Sequence, residues 1–173
     1  MTKQLSTIIY WACLIALLLL PIGACYLLFQ LPILSQLAQQ NLNLPISWES
    51  VSREQWIVVW ALGVAYASIG WLGIYFLRIP FTNFARGELF TYRNTKNLRS
   101  FAKCLLAQTL LTPIFHACLS VVLSWNHPAG QKILSITMGS NELRSISLAL
   151  IIWVVSDILL AGEQLKLENQ QFI

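Results

Sequence analysis

Two side chains in this sequence could carry chemistry inside a membrane, Asp157 and His116. An acid within an apolar helix costs up to about 2.5–3.5 kcal/mol on insertion scales, so it generally faces a helix interface or a pathway. Asp157 lies five residues before Gly162, about 7–8 Å from the inner edge of its apolar stretch. Gln108 falls at similar depth on another stretch, with Lys103 just below it. Two readings follow. Asp157 makes an interhelical polar contact with Gln108 or Lys103, or it serves a proton or ion relay. His116 lies about 22 Å from the same boundary, about 15 Å above Asp157, whereas a His–Asp dyad needs contact at roughly 3 Å. It reads as a satisfied histidine within the bundle. The other histidine, His127, is in a loop, so no second haem or metal ligand matches its depth.

Nucleophilic catalysis has as little support. Ser120, Ser124, Ser156 and Cys118 lie near apolar helices, but no G-x-S-x-G elbow surrounds any of them. Serine in such helices ordinarily hydrogen-bonds between elements. Glycine-rich phosphate loops, H-E-x-x-H and calcium-loop patterns are missing. The four cysteines form no CxxC and read as small hydrophobes. The expectation is a chain that is not an enzyme and carries no cofactor or metal.

Charge points to a different kind of site. Six of the eleven Lys/Arg fall between Arg78 and Lys103 in a chain of net charge +4. Arg86, Arg93, Lys96, Arg99 and Lys103 form a candidate surface for anionic lipid or a cytoplasmic partner; Lys96, Arg99 and Lys103 share one helix face. A basic cluster also suits nucleic acid, but its position beside apolar helices favours lipid, topology control or protein docking over direct nucleic-acid contact. Gly63, Ala67 and Gly70 are small residues at i, i+4 and i+7, with Gly73 one step on. They make a groove for close helix approach, within the chain or between two copies of it.

These residues sit on a membrane scaffold. The 173 residues are 57% apolar and 10% charged, against roughly 45–50% and roughly 25% in soluble domains. Four stretches are long enough to cross a core of about 30 Å: residues 8–29, 55–77, 101–125 and 145–162. The fold class is all-α, a four-transmembrane-helix bundle forming one domain. Pro21 and Pro113 should kink the first and third helices, with neighbours taking up the freed carbonyls. Residues 22–25 loosely resemble a lipoprotein cleavage box, but the apolar residues that follow argue that the first helix is retained.

Lysine and arginine counts set the orientation. With the N-terminus inside, one face carries eight of them and the other three, Arg53, Lys132 and Arg144. The expected location is a bacterial inner membrane, multi-pass, with both termini, the loop 78–100 and the tail 163–173 cytoplasmic. The outer loops are 30–54 and 126–144. The first begins as an amphipathic extension through Leu31, Leu34, Leu37 and Ala38, with a turn at Pro45 and an interfacial anchor at Trp48; the second is a looped excursion. The inner loop should form a helical hairpin. Pro80 starts a short helix that Gly87 ends as a left-handed cap. Thr91 caps the next helix, with Asn94 completing a weak capping box.

The run Gly87-Glu88-Leu89-Phe90-Thr91-Tyr92-Arg93-Asn94, followed by Leu98-Arg99, resembles a G-x-x-F-[ST]-x-x-N-x-x-x-L-R pattern. Gly162, Leu165, Glu168 and Asn169 fit G-x-x-L-x-x-E-N. Together the two motifs resemble the bacterial membrane family called domain of unknown function 2975, from about residue 60 onward. The resemblance implies four membrane helices, no established activity and, as a partner, a small helix-turn-helix regulator of the repressor type. The ending Gln170-Gln171-Phe172-Ile173 departs from the commoner acidic and apolar one, which puts an acidic contact made there in doubt. Both motifs would build one inner surface, with Glu163 and Glu168 facing the basic cluster. The expected function is a membrane regulator or sensor docking a small soluble protein on that surface. The alternative is an oligomeric transporter or channel component using Asp157.

Overall fold

The structure, a computed structural model, describes residues 2–30, 32–33, 35–37, 51–88, 90–128, 132–136 and 139–171, without the side chains at 2–3, 28 and 166–171. The described residues contain four long helices and no strand: α1 (Thr2–Phe29), α2 (Arg53–Arg86), α3 (Tyr92–Leu123) and α4 (Ser140–Gln171). All four are long and apolar enough to cross a membrane. Their apolar side chains point outward: Ile8, Trp11, Leu18, Ile151 and Ile158 are each more than half exposed. In water that surface would be costly; against lipid chains it is not.

Cross-helix contacts give the directions. Trp60 Nε1 donates to the Ala24 carbonyl at 2.7 Å and Trp71 Nε1 to that of Leu17 at 3.0 Å, so α1 and α2 are antiparallel. The second bond has a reason in the sequence. Pro21 has no N–H, which leaves the carbonyl four residues earlier, Leu17, without its helical donor; the Trp71 indole supplies one. Between α2 and α3, Tyr66 meets the Thr112 hydroxyl at 2.9 Å and stacks on Phe115. Gly70 lies under Gln108, and Gly73 against Phe101 and Cys104. α4 meets α3 through Arg99 and Asp157.

Each helix thus packs chiefly on its neighbour in sequence, and α1 shares no packed face with α4. Among the described residues the four helices therefore form an open array with α1 and α4 at its edges. In the small-residue groove of α2, Gly70 and Gly73 meet α3, while Gly63 has open space above it.

The two ends of the array differ. At one end Ser52 caps α2 in a full capping box: Gln55 N–H donates to Ser52 Oγ, and Ser52 N–H to Gln55 Oε1 at 2.7 Å. Gln55 also donates to the Val122 carbonyl and accepts from Asn126 Nδ2, both at 2.7 Å. Ser124 Oγ receives Ile133 N–H at 3.0 Å, and Ser120 Oγ receives Ser135 N–H at 2.9 Å. These bonds fasten the extended segment 132–136 along the end of α3. Beneath them Trp56, Val59, Leu119 and Leu123 form a buried core. At the opposite, basic end lie the start of α1, the α2–α3 turn and the end of α4.

Two boundary expectations change. α2 continues through Pro80 to Arg86, so Pro80 lies inside a helix and starts none. α4 begins at Ser140, earlier than apolar length alone sets it, whereas α3 begins at Tyr92, where the expected Thr91 cap starts it. The cause is shared: apolar length marks where a helix leaves lipid, whereas caps decide where it stops. The expected positions of Leu31, Leu34, Ala38, Pro45 and Trp48 fall outside the described residues; residues 32–33 and 35–37 are helical.

Candidate functional site

The basic end is organised by the turn between α2 and α3. Gly87 adopts φ 88°, a left-handed conformation that favours glycine. It lets Gly87 N–H reach the Phe84 carbonyl and Glu88 N–H the Asn83 carbonyl, satisfying the last carbonyls of α2. Thr91 caps α3 through the N–H of Asn94. The side chain of Asn94 goes elsewhere than in a capping box. It is fully buried, donates to the Glu88 carbonyl at 2.7 Å and accepts from Asn83 Nδ2 at 2.6 Å. Asn94 therefore ties both helices to the turn. Leu98, one turn on, is buried beneath it.

Beside this turn three arginines share one pocket. Arg78 and Arg86 from α2 and Arg93 from α3 line a pocket of about 270 Å³, with Tyr10, Ile79, Thr82 and Asn83. Among the described residues no carboxylate lines it. Among the described residues none of the three arginines forms an ion pair. Arg78 lies over the Tyr75 ring, 5.5 Å from its centroid. Such a pocket can hold an anion by charge and by the paired N–H donors of guanidinium.

The other cations are arranged differently. Arg99 pairs with Asp157, the partner expected to be Gln108 or Lys103. Arg99 and Lys103 both lie over the Trp153 ring, each 5.8 Å from its centroid. The reason is helix phase. Arg99 stands one turn before Lys103 on α3, and Asp157 one turn after Trp153 on α4, so the antiparallel pair brings the ends of those turns together. Lys96 is exposed and makes no such contact. The expected five-residue surface thus divides: Arg86 and Arg93 join the pocket, Arg99 and Lys103 brace α4, and Lys96 faces outward.

The two sequence motifs touch. A Cβ placed on Gly162 would come within 2.8 Å of the Phe90 ring, closer than real side chains pack. Phe90 therefore requires glycine at that point of α4. Leu165 is exposed; Glu168 and Asn169 are helical, with side chains outside the description. His116 packs edge-on to Phe115, on a different part of α3 from Asp157's partner. Ala67 is exposed on α2. The backbone carbonyl of Gln108 accepts from the Thr112 hydroxyl at 3.1 Å.

Sequence reasoning missed Tyr10, Arg78, Thr82, Asn83 and Trp153. Arg78 entered only the charge count, because it stands at the end of an apolar stretch. Tyr10 and Trp153 belong to no motif in the sequence. Only the pairing of α1 with α2 and of α3 with α4 gives them a place.

The family model described as "Protein of unknown function (DUF2975)" matches residues 40–173. No curated protein and no solved structure matches the chain.

Proposed function

The chain belongs to the DUF2975 family of proteins of unknown function, and on that premise we propose that it is a non-enzymatic, multi-pass protein of a bacterial inner membrane whose basic end faces the cytoplasm and docks a small soluble partner. One observation carries the reading. The described cations without a carboxylate partner at this end, Arg78, Arg86, Arg93, Lys96 and Lys103, gather at the end of the array that also bears the start of α1 and the last turns of α4. The excess of lysine and arginine there supports a cytoplasmic orientation. An acidic face on a small soluble protein, such as a helix-turn-helix regulator, would complement it.

The test is a pull-down of the tagged protein from its own host in mild detergent, read by mass spectrometry. A stoichiometric soluble protein is expected, lost when Arg93 and Lys96 are both changed to Glu. Arg99 is left intact because its reversal would break the contact with Asp157. A preparation with no soluble partner overturns the reading. The alternative, an oligomeric transporter or channel component using Asp157, has less support, since Arg99 neutralises that carboxylate. Ion-dependent flux abolished by Asp157→Asn would restore it.

A further inference from the structure

We propose that the pocket between α1, α2 and the start of α3 binds the phosphate group of an anionic phospholipid. The argument begins with charge. Arg78, Arg86 and Arg93 line a volume of about 270 Å³. An anion between them would relieve the mutual repulsion of their charges. Among the described residues no carboxylate does so. Guanidinium offers paired N–H donors that match two phosphate oxygens at once. Tyr10 adds a phenol hydroxyl that makes no hydrogen bond within the described protein.

Depth selects the source of the phosphate. Counted from Trp56, Arg78 lies about 33 Å along α2 and Arg86 about 45 Å. A hydrocarbon core of about 30 Å, or about 40–45 Å with headgroups, places Arg78 at the acyl boundary and Arg86 at the outer side of the headgroup layer. The phosphate plane of a leaflet falls between them. Leu5, Ile8 and Trp11, in the same turns of α1 as Tyr10, are more than half exposed and apolar. They offer a surface for acyl chains, which a soluble phosphate would not use. The turn holds the pocket's shape: Asn83 lines it and is bonded to buried Asn94, so Arg86 and Arg93 are set at a fixed separation before any ligand arrives. That preorganisation lowers the ordering cost of binding.

The experiment uses the full chain purified in a neutral detergent, with thermal unfolding followed during titration with phosphatidylglycerol, cardiolipin, phosphatidylcholine, inorganic phosphate or pyrophosphate. The two anionic lipids should raise the melting temperature, and phosphatidylcholine and inorganic phosphate should not. Arg78→Gln combined with Arg86→Gln should weaken the response to phosphatidylglycerol about tenfold or more, since every 1.4 kcal/mol is tenfold. Lys96→Gln, outside the pocket, should leave it unchanged. If the double variant does not fold, Arg86→Gln alone gives the same comparison. Equal stabilisation by phosphatidylcholine and phosphatidylglycerol overturns the proposal, as does an anionic preference that survives loss of the arginines. Saturation by pyrophosphate with no response to lipid overturns the lipid source and assigns the pocket to a soluble phosphate. Protein docking is read separately on Lys96→Glu, which lies outside the pocket, so failure of one reading is distinguishable from failure of the other.

Discussion

The Gln55 end and the Arg78 end both place polar groups beside a membrane core, and they treat them in opposite ways. At the first, neutral side chains satisfy one another: Gln55 bonds to Ser52, Val122 and Asn126, and two serines of α3 take the N–H groups of Ile133 and Ser135. At the second, three arginines share a pocket with no described acid to balance them. A closed hydrogen-bond network costs little in low dielectric and holds a shape. An open cluster of charge does nothing for the fold and leaves free energy available to a ligand. The difference separates a structural end from a binding end.

Three comparisons would sharpen or break this contrast. The largest effect is expected at Gln55. Gln55→Leu leaves Asn126 Nδ2 and the Ser52 N–H without their partner and the Val122 carbonyl with the Trp125 N–H alone, and should destabilise the protein by about 3 kcal/mol. Arg78→Gln, by contrast, should change lipid-free stability by no more than about 0.5 kcal/mol. Unfolding in the same detergent measures both, and a reversed order would mean that the arginines hold the fold together. Next comes Gly162→Ala, which drives a Cβ into the Phe90 ring and should cost about 1–2 kcal/mol. Adding Phe90→Ala should recover most of that loss; equal losses in single and double variants would show that the two motifs are not in contact. Asp157→Asn comes third. Its ion pair with Arg99 is 38% and 49% exposed on the two sides, so solvent and headgroups screen it and about 1 kcal/mol or less should be lost. A much larger loss would place that pair with the buried network in character.

Much of the site was visible in the residues, though not its division of labour. Gly87 and Thr91 declare themselves as caps because only certain residues do that work well. Asn94 was placed in a capping box, yet its side chain bridges to Asn83 and Glu88. A capping box is local and readable; a bridge across a turn depends on how two helices approach. The basic cluster was read as one surface because charge is additive along a sequence, whereas helix phase and the facing helix split it into a pocket, a brace and an outward lysine. Pro80 was assigned a helix start from its ring chemistry alone, but long helices within lipid continue through proline when the surroundings take up the lost bond.

Composition and length by themselves determined four apolar helices, because a bilayer core accepts only long runs whose backbone groups are bonded within the segment. Lysine and arginine placement marked the end of the molecule where charge collects. Only tertiary structure decided that α1 and α4 stay apart, that Asp157 meets Arg99, that Phe90 closes over Gly162, and that Tyr10 and Arg78 join Arg86 and Arg93 in one pocket. Hydrophobic periodicity says that a helix has an apolar face. It does not say which helix that face meets, and contacts between residues far apart in the chain follow from that choice.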